Sequence, residues 1–164
     1  MKEIQLTGFK FTQPNRSMDI KKVFGILNYE ISMLRATYNV LIGLPKSTTA
    51  YNVYIEAFLN HASCLYDFFY EERKQDDIIV KDLPIEETIF EEKRSPKSEF
   101  ENIQFKHKRN KQLAHITESR IELEASGDKS WPYGKIYKLL DQTINAFVDS
   151  LPEKDRELLS YLTK

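Results

Sequence analysis

Residues 17–43 read SMDIKKVFGILNYEISMLRATYNVLIG, and the apolar positions Ile20, Val23, Phe24, Leu27, Ile31, Leu34, Tyr38 and Leu41 recur at steps of three and four. That period places one apolar stripe on a helix of about 27 residues, roughly 40 Å long. Ser17 is the expected cap, with Asp19 in the first turn, while Gly43 and Pro45 end the helix. A second stripe follows Ser47-Thr48-Thr49: Tyr51, Tyr54, Ile55, Phe58, Ala62, Leu65 and Phe69, dissolving into the charged run Glu71 to Asp77. A connection of a few residues makes these two helices antiparallel neighbours.

The rest of the chain follows the same punctuation, because the six prolines fall between periodic stretches and never inside one. A third periodic segment runs from Ser95-Pro96 to about Thr117 with Phe100, Ile103, Phe105, Leu113 and Ile116 as its apolar content. A fourth stripe is Tyr133, Ile136, Tyr137, Leu140, Ile144, Phe147 and Leu151. Ser150-Leu151-Pro152-Glu153 has the form of a capping box and opens a short last helix through Leu158, Leu159 and Leu162. Short alternation at Ile4 to Phe11 and at Arg120 to Ala125 is compatible with an extended arm or a small hairpin, and Asp76 to Lys93 is an acidic connection with a helical turn or two. The expected fold is all-α: a four- to five-helix bundle with two long antiparallel N-terminal helices. It is expected to be a single domain over residues 1–164, with an arm at 1–14 and an acidic connector at 74–95.

Composition narrows the class. The 164 residues are 41% hydrophobic and 12% aromatic, which excludes wholesale disorder and low complexity. Cys64 is the sole cysteine and cannot form an internal disulfide; it lies in an apolar helical stretch and reads as a small buried thiol. The start of the chain has no apolar stretch behind a basic end, and the most apolar region, Ile26 to Leu44, is interrupted by Asn28, Glu30, Arg35 and Asn39. The expectation is a cytoplasmic protein without a membrane partner.

Chemistry has few places to go. His61, His107 and His115 fit no metal-binding spacing, so no metal and no cofactor are expected, and His61 reads as a histidine at the edge of the core. The five glycines never cluster into a phosphate loop, no Gly-x-Ser-x-Gly elbow occurs, and no helix-turn-helix spacing supports DNA binding. The 24 basic and 25 acidic residues give a net charge of −1, but they do not cancel locally. Glu71 to Glu101 holds eleven acids against six bases, and Lys106 to Arg120 holds five bases against Glu118. A polyanion therefore has one place to bind, the basic segment around Lys106, Lys108 and Lys111.

Within that segment Arg109-Asn110-Lys111-Gln112-Leu113-Ala114-His115 joins a bidentate phosphate binder to an imidazole that exchanges protons near neutral pH. Metal-free RNA cleavage needs both: a cation for the charge on the scissile phosphate, and a group that moves protons at the 2′-hydroxyl or the leaving 5′-oxygen. Six residues on a helix separate Arg109 and His115 by about 9 Å and about 120°, so one straight helix does not bring them together, and a second copy related by a twofold axis can. Lys111, four residues before His115, disfavours a protonated imidazole there and suits a general base better than a general acid.

Arg109-Asn110, four residues and then His115 resemble the Arg-x(4–6)-His motif of HEPN domains, in which a polar residue follows the Arg and Ala often precedes the His. The order of two long antiparallel helices, a motif-bearing helix and closing helices is similar to that family, and residues 58–69 resemble the second helix of its abortive-infection branch. The resemblance implies a metal-independent endoribonuclease, often a toxin of a toxin–antitoxin or phage-defence system, acting as a homodimer with a composite site and leaving a 2′,3′-cyclic phosphate. It implies RNA as substrate and an antitoxin or nucleotidyltransferase as partner. In that carry-over Arg109 stabilises phosphate, His115 transfers the proton and Asn110 orients the site. Lys106, Lys108 and Lys111 are assigned to the RNA backbone on charge. The alternative is a non-catalytic HEPN-like helical module that uses the same surface, or the acidic 71–101 segment, to hold a protein.

Overall fold

In the computed structural model, residues 19–112 and 131–162 are described, and among them there is helix and no strand. Asp19 precedes α1 (Ile20–Leu41) and accepts a hydrogen bond from the Lys22 amide, so the cap is Asp19 and the helix starts later than the Ser17 cap implied. Ser17, the alternation at Ile4 to Phe11 and that at Arg120 to Ala125 lie outside the described residues. Thr48 caps α2 (Thr49–Tyr70), its hydroxyl accepting from the Tyr51 amide. Tyr29 meets His61 near the middle of the pair, and Tyr38, further along α1, meets Phe58, earlier in α2, so the two helices run antiparallel. Their facing stripes bury Phe24, Leu27, Ile31 and Leu34 against Phe58, Leu65 and other residues of one continuous core.

The acidic connector is a packed element. It forms a 3₁₀ turn at Val80–Asp82 and then α3 (Glu87–Lys93), whose N-cap Glu86 is buried because its carboxylate accepts from the Thr88 and Ile89 amides. The Glu86 amide also donates to the Ser150 carbonyl, at 2.8 Å, and Phe90 enters the core, which seats α3 on α6 (Tyr133–Ser150). Helix α6 carries the regular stripe expected of it, with Ile136, Leu140, Ile144 and Phe147 buried to 1% exposure or less. Its end is capped by Arg156, which donates to the Leu151 and Asp149 carbonyls from α7 (Glu153–Arg156). Ser150 does not act as the cap of α7: its hydroxyl donates back to Phe147, and Pro152 takes the cap position without a side-chain bond. A closing 3₁₀ segment, Glu157–Leu162, returns to α1, where the Asn28 amide group donates to the Leu158 carbonyl.

The third periodic segment departs from expectation. Over the described residues 97–112 it is two short helices, α4 (Lys97–Asn102) and α5 (Phe105–Gln112), separated at Gln104, which adopts a left-handed backbone with φ 53°. The cause is in the spacing of two phenylalanines. Phe100 and Phe105, five residues apart, would point about 140° away from each other on one straight helix. The break lets both enter the core, where their rings lie 5.9 Å apart and each packs against Tyr66 at 5.2 and 5.4 Å. No helix among the described residues is long and apolar enough to cross a membrane.

Candidate nucleic-acid interface

Helix α5 is fastened at its first residue. Phe105 is fully buried against Tyr66, Phe100 and Trp131, whereas Lys106, His107 and Asn110 are exposed and Lys108 and Arg109 half-buried. A helix with this little apolar surface is held by its start and by charge pairs. Two are prominent. Lys106 and Lys97 both bind the carboxylate of Glu71, the residue that ends α2, with Lys97 Nζ at 3.2 Å. The Glu71 side chain is 11% exposed; burial pushes its carboxyl up, but the two ammonium groups outweigh this and hold it below the usual carboxylate range. The acidic and basic segments of the sequence therefore meet at this residue.

Arg109 is the second. Its Nη1 donates to Asp67 Oδ1 at 2.8 Å and its Nε to Asn110 Oδ1 at 3.3 Å, while the guanidinium lies over the Tyr66 ring, 6.0 Å from its centre. The Arg109 side chain is 15% exposed, against 49% for Asp67. The guanidinium is thus oriented from below by a ring, from α2 by a carboxylate and along its own helix by an amide, which fixes a group that is otherwise among the most mobile on a surface. Burial, then Glu71 and Glu101, push the Tyr66 phenol up to about 12, so it stays protonated beneath the guanidinium at neutral pH. Beside this pair lies an open cleft of about 490 Å³ lined by Tyr66, Glu71, Gln104, Lys106, His107 and Asn110, among others.

Arg109 and Asn110 are therefore brought together, with Lys106 on the same short helix but engaged by Glu71. Lys108 stands half-buried next to Arg109. His115 and the Lys111 side chain lie outside what is described. Asp67 was not singled out by sequence, because it is 42 residues from Arg109 and only the docking of α5 on α2 joins them.

A second ionisable pair was also missed. His61 Nδ1 lies 2.8 Å from Glu30 Oε2 across the α1–α2 seam. His61 is buried as expected of a core-edge histidine, but it is matched to a carboxylate 31 residues away. Cys64, one turn further along α2, is exposed and not the buried thiol expected, because its position turns out of the seam toward the side of α2 where Asp67 sits. Partial burial, then Glu30 and Asp67, push the thiol up while Arg109 opposes them. The group is a thiol at neutral pH, which suits neither nucleophile nor metal ligand. Among the described residues no cluster of three or more His, Cys, Asp or Glu is arranged to hold a metal ion.

Comparison with known proteins gives no match: no family model, no curated protein and no solved structure matches this chain.

Proposed function

We propose that this chain is a metal-independent, HEPN-like endoribonuclease of the cytoplasm, of the toxin or phage-defence kind, with a composite site in a homodimer. The observation that carries the reading is Arg109: an arginine held at 15% exposure by Asp67 and Asn110 on a helix that contributes one described side chain to the core. A guanidinium fixed in this way is prepared for a phosphate, whose charge grows as the 2′-oxygen attacks phosphorus. In the reaction Arg109 neutralises the non-bridging oxygens, His115 removes the 2′-hydroxyl proton, and the products are a 2′,3′-cyclic phosphate and a 5′-hydroxyl. Asn110 keeps the guanidinium aligned through its Oδ1. Lys106, Lys108 and Lys111 neighbour the RNA backbone, Lys106 exchanging Glu71 for phosphate.

Purified protein is expected to cut single-stranded RNA in EDTA, and Arg109→Ala and His115→Ala each to abolish cutting with circular dichroism unchanged. Cutting that survives both changes removes the assignment. Sedimentation at working concentration reads the dimer.

One observation favours a second reading, a non-catalytic module that holds a protein. Ile26, Tyr29 and Val53 on α1 and α2 are 60%, 57% and 59% exposed, large apolar side chains on the outside of the longest helix pair. RNA that is neither bound nor cut at low salt, together with a stoichiometric protein partner on purification, would favour it.

A further inference from the structure

Two clefts meet at the break between α4 and α5, and their charge differs. The cleft that holds Lys97, Lys106 and His107 also holds Glu71 and Glu101, and Glu71 already engages both lysines. The other is an open cleft of about 510 Å³ lined by Lys46, Asn102, Gln104, Lys108 and Trp131, among others. Among the described residues that line it there is no acid. Gln104 borders both, so the two clefts adjoin across the left-handed residue.

Trp131 gives the second cleft its character. It is half-buried: the Phe105 ring meets its indole at 76° with ring centres 6.2 Å apart, and the indole also borders the cleft. An indole placed this way has its orientation fixed by the core and part of its surface left for another flat group. Lys46, on the short connection before α2, is exposed, as are the side-chain amides of Asn102 and Gln104. Two ammonium groups, an indole and two amides are the parts of a nucleotide site: cations for phosphate, a ring for the base, and donors and acceptors for the base edge. The volume lies within the range of about 300–1,000 Å³ that small-ligand sites occupy.

We propose that this cleft is a subsite for one nucleotide of a single-stranded RNA, with the base stacked on Trp131 and the adjoining phosphate held by Lys46 and Lys108. The choice of RNA as the polymer rests on the ribonuclease reading. Lys108 and Arg109 are neighbours in α5 and the clefts adjoin at Gln104, so a strand seated here continues toward the guanidinium. A duplex does not fit this recognition, because its bases are stacked on one another and closed to an indole.

Trp131 is the sole tryptophan of the chain, so its emission reports this cleft alone. A 2′-O-methyl oligouridylate octamer, which has no 2′-hydroxyl to attack and so binds without being cut, is titrated into the protein in EDTA; inorganic polyphosphate serves as a polyanion without bases. The octamer is expected to quench the emission by about a third or more and polyphosphate by less than about a tenth, because a stacked base and not charge alone reaches the ring. By anisotropy of the labelled octamer, Trp131→Ala is expected to bind about tenfold more weakly. Lys46→Ala is expected to lower the slope of log affinity against log salt by about 0.7, the mark of one lost phosphate contact. If circular dichroism shows Trp131→Ala unfolded, the wild-type quenching and the Lys46→Ala slope decide. Quenching that polyphosphate reproduces, or a Lys46→Ala slope equal to that of wild type, overturns the subsite. A wild type that cuts RNA while the octamer leaves the emission unchanged overturns the subsite and leaves the ribonuclease reading standing. Quenching by the octamer in a protein that cuts no RNA supports the subsite and overturns that reading.

Discussion

Helix α6 sends Ile136, Leu140, Ile144 and Phe147 into the core along one stripe, whereas α5 buries Phe105 at its first residue and presents charge from there on. The two differ in what keeps them in place. Helix α6 is fixed by area removed from water, at about 25 cal/mol per Å². Helix α5 is fixed by one ring and by the pairs Lys106–Glu71 and Arg109–Asp67. Partly exposed pairs of that kind contribute little to stability, commonly under about 1 kcal/mol each. Charge on α5 is therefore not there to hold the bundle together, and the difference separates residues kept for folding from residues free to serve a ligand.

Substitutions on the two helices should then separate stability from activity. The largest effect belongs to Phe147, which is fully buried among Phe24, Phe68 and Phe69. Phe147→Ala should lower unfolding free energy by about 3–5 kcal/mol, read from urea denaturation followed by circular dichroism. A loss below about 1 kcal/mol would mean that α6 is not the keel of the bundle. Arg109→Ala should do the reverse, slowing RNA cleavage at least about 100-fold while the unfolding midpoint shifts by no more than about 1 kcal/mol in free energy. A large loss of stability there would place α5 on the same footing as α6. Gly25 sits on the exposed side of α1 with no atom near the position of an added Cβ. Gly25→Ala should raise stability by about 0.5–1 kcal/mol, since only the conformational freedom of the unfolded chain changes.

The smallest effect is a pH dependence at the point where α5 meets the connector. The Glu71 carboxyl is held below its ordinary value of 4.5 in the folded chain, so its pairing with Lys97 and Lys106 stabilises the fold above that pH and is lost as the pH falls through the lower folded value. Stability measured from pH 6 down to pH 3 should therefore fall less steeply in Glu71→Gln than in wild type, by a few tenths of a kcal/mol over the range. Parallel curves would show that the clamp contributes nothing.

The long helices were legible because a stripe of seven or eight apolar residues can be satisfied in one way, and α1, α2 and α6 follow it, except that Tyr54 of the α2 stripe is exposed. Helix starts were less so: Asp19, not Ser17, caps α1, and Pro152, not Ser150, precedes α7. Both are choices among neighbouring polar or turn-forming residues that local sequence scarcely separates. The break at Gln104 carried no glycine or proline to mark it, since residues 97–112 contain neither. Arg109 and Asn110 could be named from sequence because they are adjacent and their chemistry is local. Asp67 and the Glu30–His61 pair could not, because each depends on helices distant in sequence lying side by side.

Gln104 has a consequence beyond packing. Five residues separate Phe100 from Phe105, and the left-handed residue between them acts as a phase shifter, resetting the rotation of the chain before α5 begins. Deleting one residue between the two phenylalanines would put them four apart, about 40° from each other on a continuous helix, and the reset would be unnecessary. Such a chain could bury both rings on one straight helix, but α5 would then continue the axis of α4, and the direction in which it carries Arg109 past Asp67 would change. The length of that short interval therefore sets the compass bearing of the guanidinium, and an insertion or deletion there alters the site without touching any residue in it.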